Sequence, residues 1–226
     1  MQITFYGHSC FSIKAESVSI LVDPFISFNP AAAHIDLTDE KFDYILLSHG
    51  HWDHIADAIE YAEKFDATVL SNVEVVKWMS NNGVKKTVDI NFGGTLTADW
   101  GKIKYVTAHH SSSMPDGSYA GNPGGFVITI DDKTVYYTGD TSVMFDMKLI
   151  PMFNKIDLGI FCIGGYYTMD VNEAVLAAQF VETKKVMGVH YNTFPPIHID
   201  TNQAIESFKK EGIELLLPEI GGSINI

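Results

Sequence analysis

The segment Ser48-His49-Gly50-His51-Trp52-Asp53-His54 carries three imidazoles and one carboxylate, and it is entered from the apolar run Tyr44-Ile45-Leu46-Leu47. These are the ligand types that suit zinc, manganese or iron. His49 and His51, two apart on an extended segment, project to the same side, whereas Asp53 and His54 come after a turn. Donors this crowded do not all close on one ion in good geometry. The spacing therefore predicts two neighbouring metals that share the motif and take further ligands from elsewhere in the chain. The candidates stand where apolar segments end: His109-His110 after Lys102 to Ala108, Asp140 after Thr134 to Thr138, and His190 after Val186 to Val189. Loops at strand exits are where groups converge on a ligand. One histidine so placed is more often a satisfied structural residue, but all of these placements together point to a built site. Spacing alone does not choose between His109 and His110.

The elements that must position these residues follow from periodicity. Alternation around Glu16-Ser17 predicts two strands of a hairpin, Ile3 to Ile13 and Ser19 to Asp23, stopped by Pro24. Asn29 to Glu40 reads as a loop or short helix, Tyr44 to Ser48 as a buried strand, Ala56 to Phe65 as a helix and Thr68 to Leu70 as a strand. Ser71 with Glu74 predicts a capping box for a helix that Gly83 ends. From Lys86 the pattern becomes a meander: Val88 to Ile90, Thr95 to Ala98, Lys102 to His109, Phe126 to Ile130 and Thr134 to Thr138, with Asp131-Asp132 as a hairpin turn. Ser111 to Gly125 is a flexible connection that borders the site. Strand and helix then alternate: Leu158 to Ile163, helix Asn172 to Thr183, Val186 to Val189, helix Asn202 to Lys210, and Glu214 to Leu217, with caps expected at Asp170 and Thr201. Strand-rich blocks interrupted by helices predict an α+β chain of two packed sheets with helices outside and one core between the sheets.

The chain has 226 residues, 46% hydrophobic content and a formal net charge of -13, which favours one domain, 1–226. That charge argues against a nucleic-acid partner and against anionic membranes. No apolar stretch reaches the roughly 18 to 20 residues of a membrane span, and the first residues read as a strand rather than a leader. Cys10 and Cys162, each inside an apolar segment, read as buried thiols of a reducing, cytoplasmic setting.

The order His-x-His-x-Asp-His, then His, Asp and His, resembles the metallo-β-lactamase superfamily over essentially the whole chain. Gly7-His8-Ser9, Asp23-Pro24-Phe25, Thr138-Gly139-Asp140-Thr141, Ile163-Gly164-Gly165 with Tyr167-Thr168-Met169, and His190-Tyr191-Asn192-Thr193-Phe194-Pro195 are similar to a branch of small prokaryotic metal-dependent hydrolases. That branch is similar in turn to ascorbate-6-phosphate lactonases. The resemblance implies a four-layer αβ/βα sandwich with the site on one edge. It gives one ion to His49, His51 and His110, the other to Asp53, His54 and His190, and the bridge to Asp140. His109 is then the neighbour that faces the other way along the strand.

Two divalent ions with Asp53, Asp140 and a bridging hydroxide leave a net positive centre, which draws a small anionic or carbonyl-bearing substrate. Bound metal lowers the pKa of water to about 7 and polarises the scissile oxygen, and Asp53 would orient the hydroxide and carry its proton. His8 has two readings: a donor to an oxyanion or leaving group, or a partner that locks a ligand rotamer. His34 and His198 read as solvated; Tyr166 and Tyr167 are expected to pack, one of them lining the pocket. The expected activity is a dinuclear hydrolase of a small lactone, ester or phosphoester. A nuclease or phosphodiesterase of the same superfamily is the alternative, and the chain offers it no basic arm. A non-catalytic metal-binding protein is a third reading, against which the complete ligand set argues. A di-iron redox role needs a carboxylate where this chain has His51. The substrate, the metal and the oligomeric state are not fixed by sequence, and a homo-oligomer stays open.

Overall fold

Alternate residues of each apolar run face different layers, and this period of two builds the molecule. Leu46 packs between the sheets while Ile45 and Leu47 pack outward; Tyr137 and Ile160 point inward while Tyr136 and Phe161 point outward. The computed structural model describes residues 1–226. The strands are β1 (Gln2–Gly7), β2 (Cys10–Lys14), β3 (Ser19–Val22), β4 (Tyr44–Leu46), β5 (Thr68–Asn72), β6 (Thr87–Ile90), β7 (Thr95–Ala98), β8 (Gly101–Thr107), β9 (Gly124–Ile130), β10 (Lys133–Tyr137), β11 (Leu158–Cys162), β12 (Lys185–Val189), β13 (Glu214–Leu216) and β14 (Ser223–Asn225). The helices are α1 (Trp52–Ile55), α2 (Ala58–Phe65), α3 (Val73–Asn81), α4 (Val171–Phe180) and α5 (Thr201–Lys210). One sheet runs β14-β1-β2-β3-β4-β5-β6 and the other β13-β12-β11-β10-β9-β8-β7.

Each sheet is antiparallel at one side and parallel at the other. β1, β2 and β3 pair antiparallel and β3 to β6 parallel; β7 to β10 pair antiparallel and β10 to β13 parallel. Parallel strands end at the same edge, so the loops after β4, β8, β10 and β12 share one rim. The α2 and α3 helices bury Ala58, Tyr61, Val75 and Met79 against the first sheet, and α4 and α5 bury Ala174, Ala178, Ala204 and Phe208 against the second. This is a four-layer α+β sandwich. It has three apolar clusters rather than the single one expected, because each sheet is buried on both faces.

Several local expectations change. Ile3 to Ile13 is not one strand but the pair β1 and β2, turned at His8-Ser9, with Gly7 at φ 100 and His8 at φ 54. The α3 cap is Asn72, whose side chain accepts from Val75 N, while Ser71 stays in β5 and donates to Leu47 O at 2.7 Å. A serine already held by the sheet is not available to cap. Asp200, not Thr201, caps α5. The Asp170–Glu173 capping box is present, and Asp131 turns the β9–β10 hairpin at φ 52. The short helix α1 and the strand β14 carry too few apolar residues to show a period, so neither is legible in the sequence.

Candidate metal centre

After β4 the chain stays buried through Ser48 and His49, and His51 is extended (φ -64, ψ 145) before α1 starts. That single turn of helix returns Asp53 and His54 toward His49. Gly50 is required at the bend, since a Cβ there would lie 2.4 Å from Ala120 Cβ and 2.6 Å from Met114 Sδ. The Ser111–Gly125 connection therefore closes directly on the motif. Ser112 Oγ accepts from Gly50 N at 3.1 Å, and Ser111 Oγ lies 3.4 Å from His51 Nε2. His8 and His190 are both left-handed, at φ 54 and 55, and His190 N donates to His8 O at 2.8 Å. Such conformations cost on the order of 1–3 kcal/mol each and persist where the surroundings determine them.

The donors gather into overlapping groups. His49, His51 and His110 bring ligand atoms within 4.8 Å of one another, and so do Asp53, His54 and His190 together with His8. His49, His54 and Asp140 form a third group that joins them. Asp140 Oδ2 lies 3.0 Å from His190 Nε2, 3.3 Å from His54 Nε2 and 3.8 Å from His110 Nε2. Every residue named as a ligand from sequence is in this cluster. His109 is exposed and His110 is not, so His110 is the member that joins. His34 and His198 are exposed and lie outside it. Tyr166 and Tyr167 do not pack as expected: they are 79% and 54% exposed, in contact mainly with each other.

Charge is distributed to match. Burial and then the neighbouring imidazoles push His49 well below its ordinary pKa, and burial lowers His51 and His110 as well. Burial also opposes charge on His190, yet Asp140 and Asp53 hold it up at about 9, and the same acids with Asp23 raise His54. Burial resists ionisation of Asp53 and Asp140 as well, but the surrounding imidazoles keep both carboxyls well below the usual range. Two ionised carboxylates and the neutral imidazoles of His49, His51 and His110 are in the protonation states that metal ligands need, whereas His54 and His190 would give up a proton to bind.

These residues fit a metal-binding role. His49 Nε2 and His51 Nδ1 converge at 2.9 Å with no acid between them. His54 Nε2 and Asp140 Oδ1 are buried without a hydrogen-bond partner, an arrangement that costs about 1–3 kcal/mol per group unless something else binds there.

Asp23, whose role the sequence does not reveal, organises the donors. It is fully buried at φ 43 and takes Ser48 N at 2.7 Å, Ser48 Oγ at 2.6 Å, Tyr137 OH at 2.6 Å and His54 Nδ1 at 2.8 Å. Donation from Nδ1 turns the Nε2 lone pair of His54 to the site. Ser48 Oγ, having donated to Asp23, accepts from His49 Nδ1 at 3.0 Å and does the same for that ring. One carboxylate thus orients a candidate ligand in each group. Asp23→Asn, which offers its amide N–H to groups that are themselves donors, is expected to weaken metal affinity about 10–100-fold. Competition against a chromophoric chelator measures it, and an unchanged affinity removes Asp23 from this role.

His8 is enclosed, with no side-chain exposure. Its Nε2 donates to Asp53 Oδ2 at 2.9 Å and its Nδ1 meets Thr193 Oγ1 at 2.9 Å. Burial and the adjacent His190 push it down to about 4. Both ring nitrogens have a hydrogen-bond partner, Asp53 on one side and Thr193 on the other.

A family model described as a beta-lactamase superfamily domain matches residues 2–190. The chain is 46% identical over 226 residues to a UPF0173 metal-dependent hydrolase of Flavobacterium johnsoniae, with 100% of each chain covered. A protein of the same description from Methylacidiphilum infernorum is 45% identical over 224 residues, covering 99% of each. Among solved structures, a metallo hydrolase from the archaeon Ignicoccus hospitalis is similar with a TM-score of 0.90 and 32% identity, over 99% of this chain and 97% of that one.

Proposed function

The chain belongs to the beta-lactamase superfamily domain family and is a metal-dependent hydrolase, and from that premise we propose that it hydrolyses a small soluble substrate, a lactone, ester or phosphoester, at a centre of two divalent ions. The observation that carries this reading is the division of the donors into two groups joined by Asp140. His49, His51 and His110 would hold one ion; Asp53, His54 and His190 would hold the other; Asp140 would serve both. Zinc suits this nitrogen-rich set best, and manganese or iron also fit. Bound there, the ions would polarise the scissile oxygen and lower the pKa of a bound water toward about 7, so that hydroxide would be available at neutral pH.

The chain's own residues do the rest. Asp53 is a quarter exposed while Asp140 is enclosed, so Asp53 is the carboxylate that faces incoming water. It would accept the proton released when the water oxygen bonds to the carbonyl carbon or phosphorus. It would return that proton to the leaving oxygen as the scissile bond breaks. His8, bonded to Asp53, acts as a positioning residue that fixes the orientation of that carboxylate. The free, buried Cys10 and Cys162 support a reducing, cytoplasmic setting, and no helix is long and apolar enough to cross a membrane.

The test joins elemental analysis to a panel of lactones, carboxylic esters, phosphomonoesters and phosphodiesters. The expected result is close to two ions per chain and turnover of at least one class. A protein that carries both ions and turns over none of them would sink the reading.

A further inference from the structure

The motif that supplies candidate ligands also carries an indole. Trp52 stands between His51 and Asp53, yet its side chain is 45% exposed. Its ring is met by the edge of Phe25 at 5.0 Å and by Phe28 at 5.2 Å, and Phe28 is itself 54% exposed. Phe25, fully buried, continues the row inward to His8 at 5.4 Å and to Phe194 at 6.3 Å. His8 is the residue bonded to Asp53. The exposed pair is therefore the outer end of an aromatic row that starts on the Asp53 flank of the centre. Asp57 fixes the loop that carries Phe28, accepting from Ile26 N at 2.6 Å and Ser27 N at 3.0 Å. The wall is held in place before any ligand arrives.

Packing does not account for this exposure, because α1 is one turn long and Trp52 and Phe28 lean outward on each other. Adjacent exposed aromatics of this size mark a surface that something apolar covers. Cationic recognition points the same way. The chain contains no arginine, and the fork that grips phosphate or carboxylate is absent from it. Its lysine ion pairs are made with Glu40, Asp66, Asp157, Glu214 and Glu206, none of them part of the centre.

We propose that the substrate carries an aryl or alkyl group beside the scissile bond, that Phe28 and Trp52 bind this group, and that the bond is a carboxylic ester or lactone rather than a phosphoester. The proposal rests on the hydrolase reading above. A wall that contacts a non-reacting group binds ground state and transition state alike, so it acts on KM more than on kcat.

Calorimetric titration of the metal-loaded, full-length protein with acetohydroxamate, butanohydroxamate and hexanohydroxamate tests it, since the head group is constant and only the chain grows. Affinity is expected to rise about twofold per methylene, half the value for full burial, because one side of the wall is open. Phe28→Ala and Trp52→Ala are expected to flatten the series, and Trp52→Phe to keep most of the slope. Elemental analysis accompanies each variant, so that a lost slope is scored only where the ions are retained. A flat series in the wild-type protein with both ions bound overturns the proposal and leaves the hydrolase reading standing. A slope that survives in the Phe28→Ala/Trp52→Ala double variant overturns it too. A wild-type protein that takes up no metal overturns the hydrolase reading, and the proposal falls with it.

Discussion

Asp140→Ala is expected to lower kcat/KM by more than about 10³-fold, the scale lost when preorganised charge stabilisation is removed from a reaction centre. Bound metal is expected to fall well below two ions per chain. The reason is geometric. Asp140 Oδ2 is the acceptor that lies near His190, His54 and His110 at once, at 3.0, 3.3 and 3.8 Å. Without it the imidazoles face one another with only Asp53 left to offset the charge of bound metal. The same deletion removes the acid that holds a positive charge on His54 and His190, and breaking a buried pair costs about 3–5 kcal/mol. Loss of activity alone would therefore not separate metal binding from folding. Asp140→Asn keeps the side-chain volume, and it is expected to fold with near-native circular dichroism while still losing metal and activity. An Asp140→Asn protein that retains both ions and more than a tenth of the wild-type kcat/KM would remove Asp140 from the bridge.

Chelation is expected to lower the melting temperature by about 8–16 °C and to abolish hydrolysis without unfolding the chain. A ligand present at a thousand times its Kd stabilises by about 4 kcal/mol, and in a chain of this size each kcal/mol shifts Tm by about 2–4 °C. The chain is expected to stay folded because three apolar clusters of 21, 21 and 20 buried residues form with no contribution from a metal. Scanning calorimetry of treated and untreated protein measures the shift. Zinc, manganese and iron added back in turn should restore Tm and turnover together, and the ion that does both is the working one. A protein indifferent to chelator in both measurements has no metal centre. Metal affinity should also fall as pH drops, because the imidazoles must lose their protons to bind.

Much of this protein is legible along the chain because the physics involved is local. The His49 to His54 spacing declares ligand chemistry wherever it lies in the fold, and unbroken apolar runs such as Val186 to Val189 declare strands buried on both faces. The Asp170–Glu173 box needs only three residues of separation to satisfy a helix end. Strand exits at His110, Asp140 and His190 also follow from where apolar runs stop, and the parallel order of the sheets brings those exits to one rim.

Other features depend on partners that are distant in sequence. Ser71 looks like a helix cap until Leu47, just past the end of β4, lies beside it and accepts its hydroxyl. Asp23 has no neighbour in sequence that explains it; its donors are Ser48, His54 and Tyr137, the last 114 positions away. His8 acquires its role from Asp53, 45 positions on, once the run Ile3 to Ile13 folds back into two strands. The aromatic wall joins Phe28 to Trp52 only because the loop after β3 crosses α1. Residue types and short spacings therefore determined which chemistry is available, since donor strength and local periodicity belong to the chain itself. Strand register and loop crossing decided which donor holds which ligand, because a hydrogen bond forms only between atoms that the tertiary fold brings within about 3 Å.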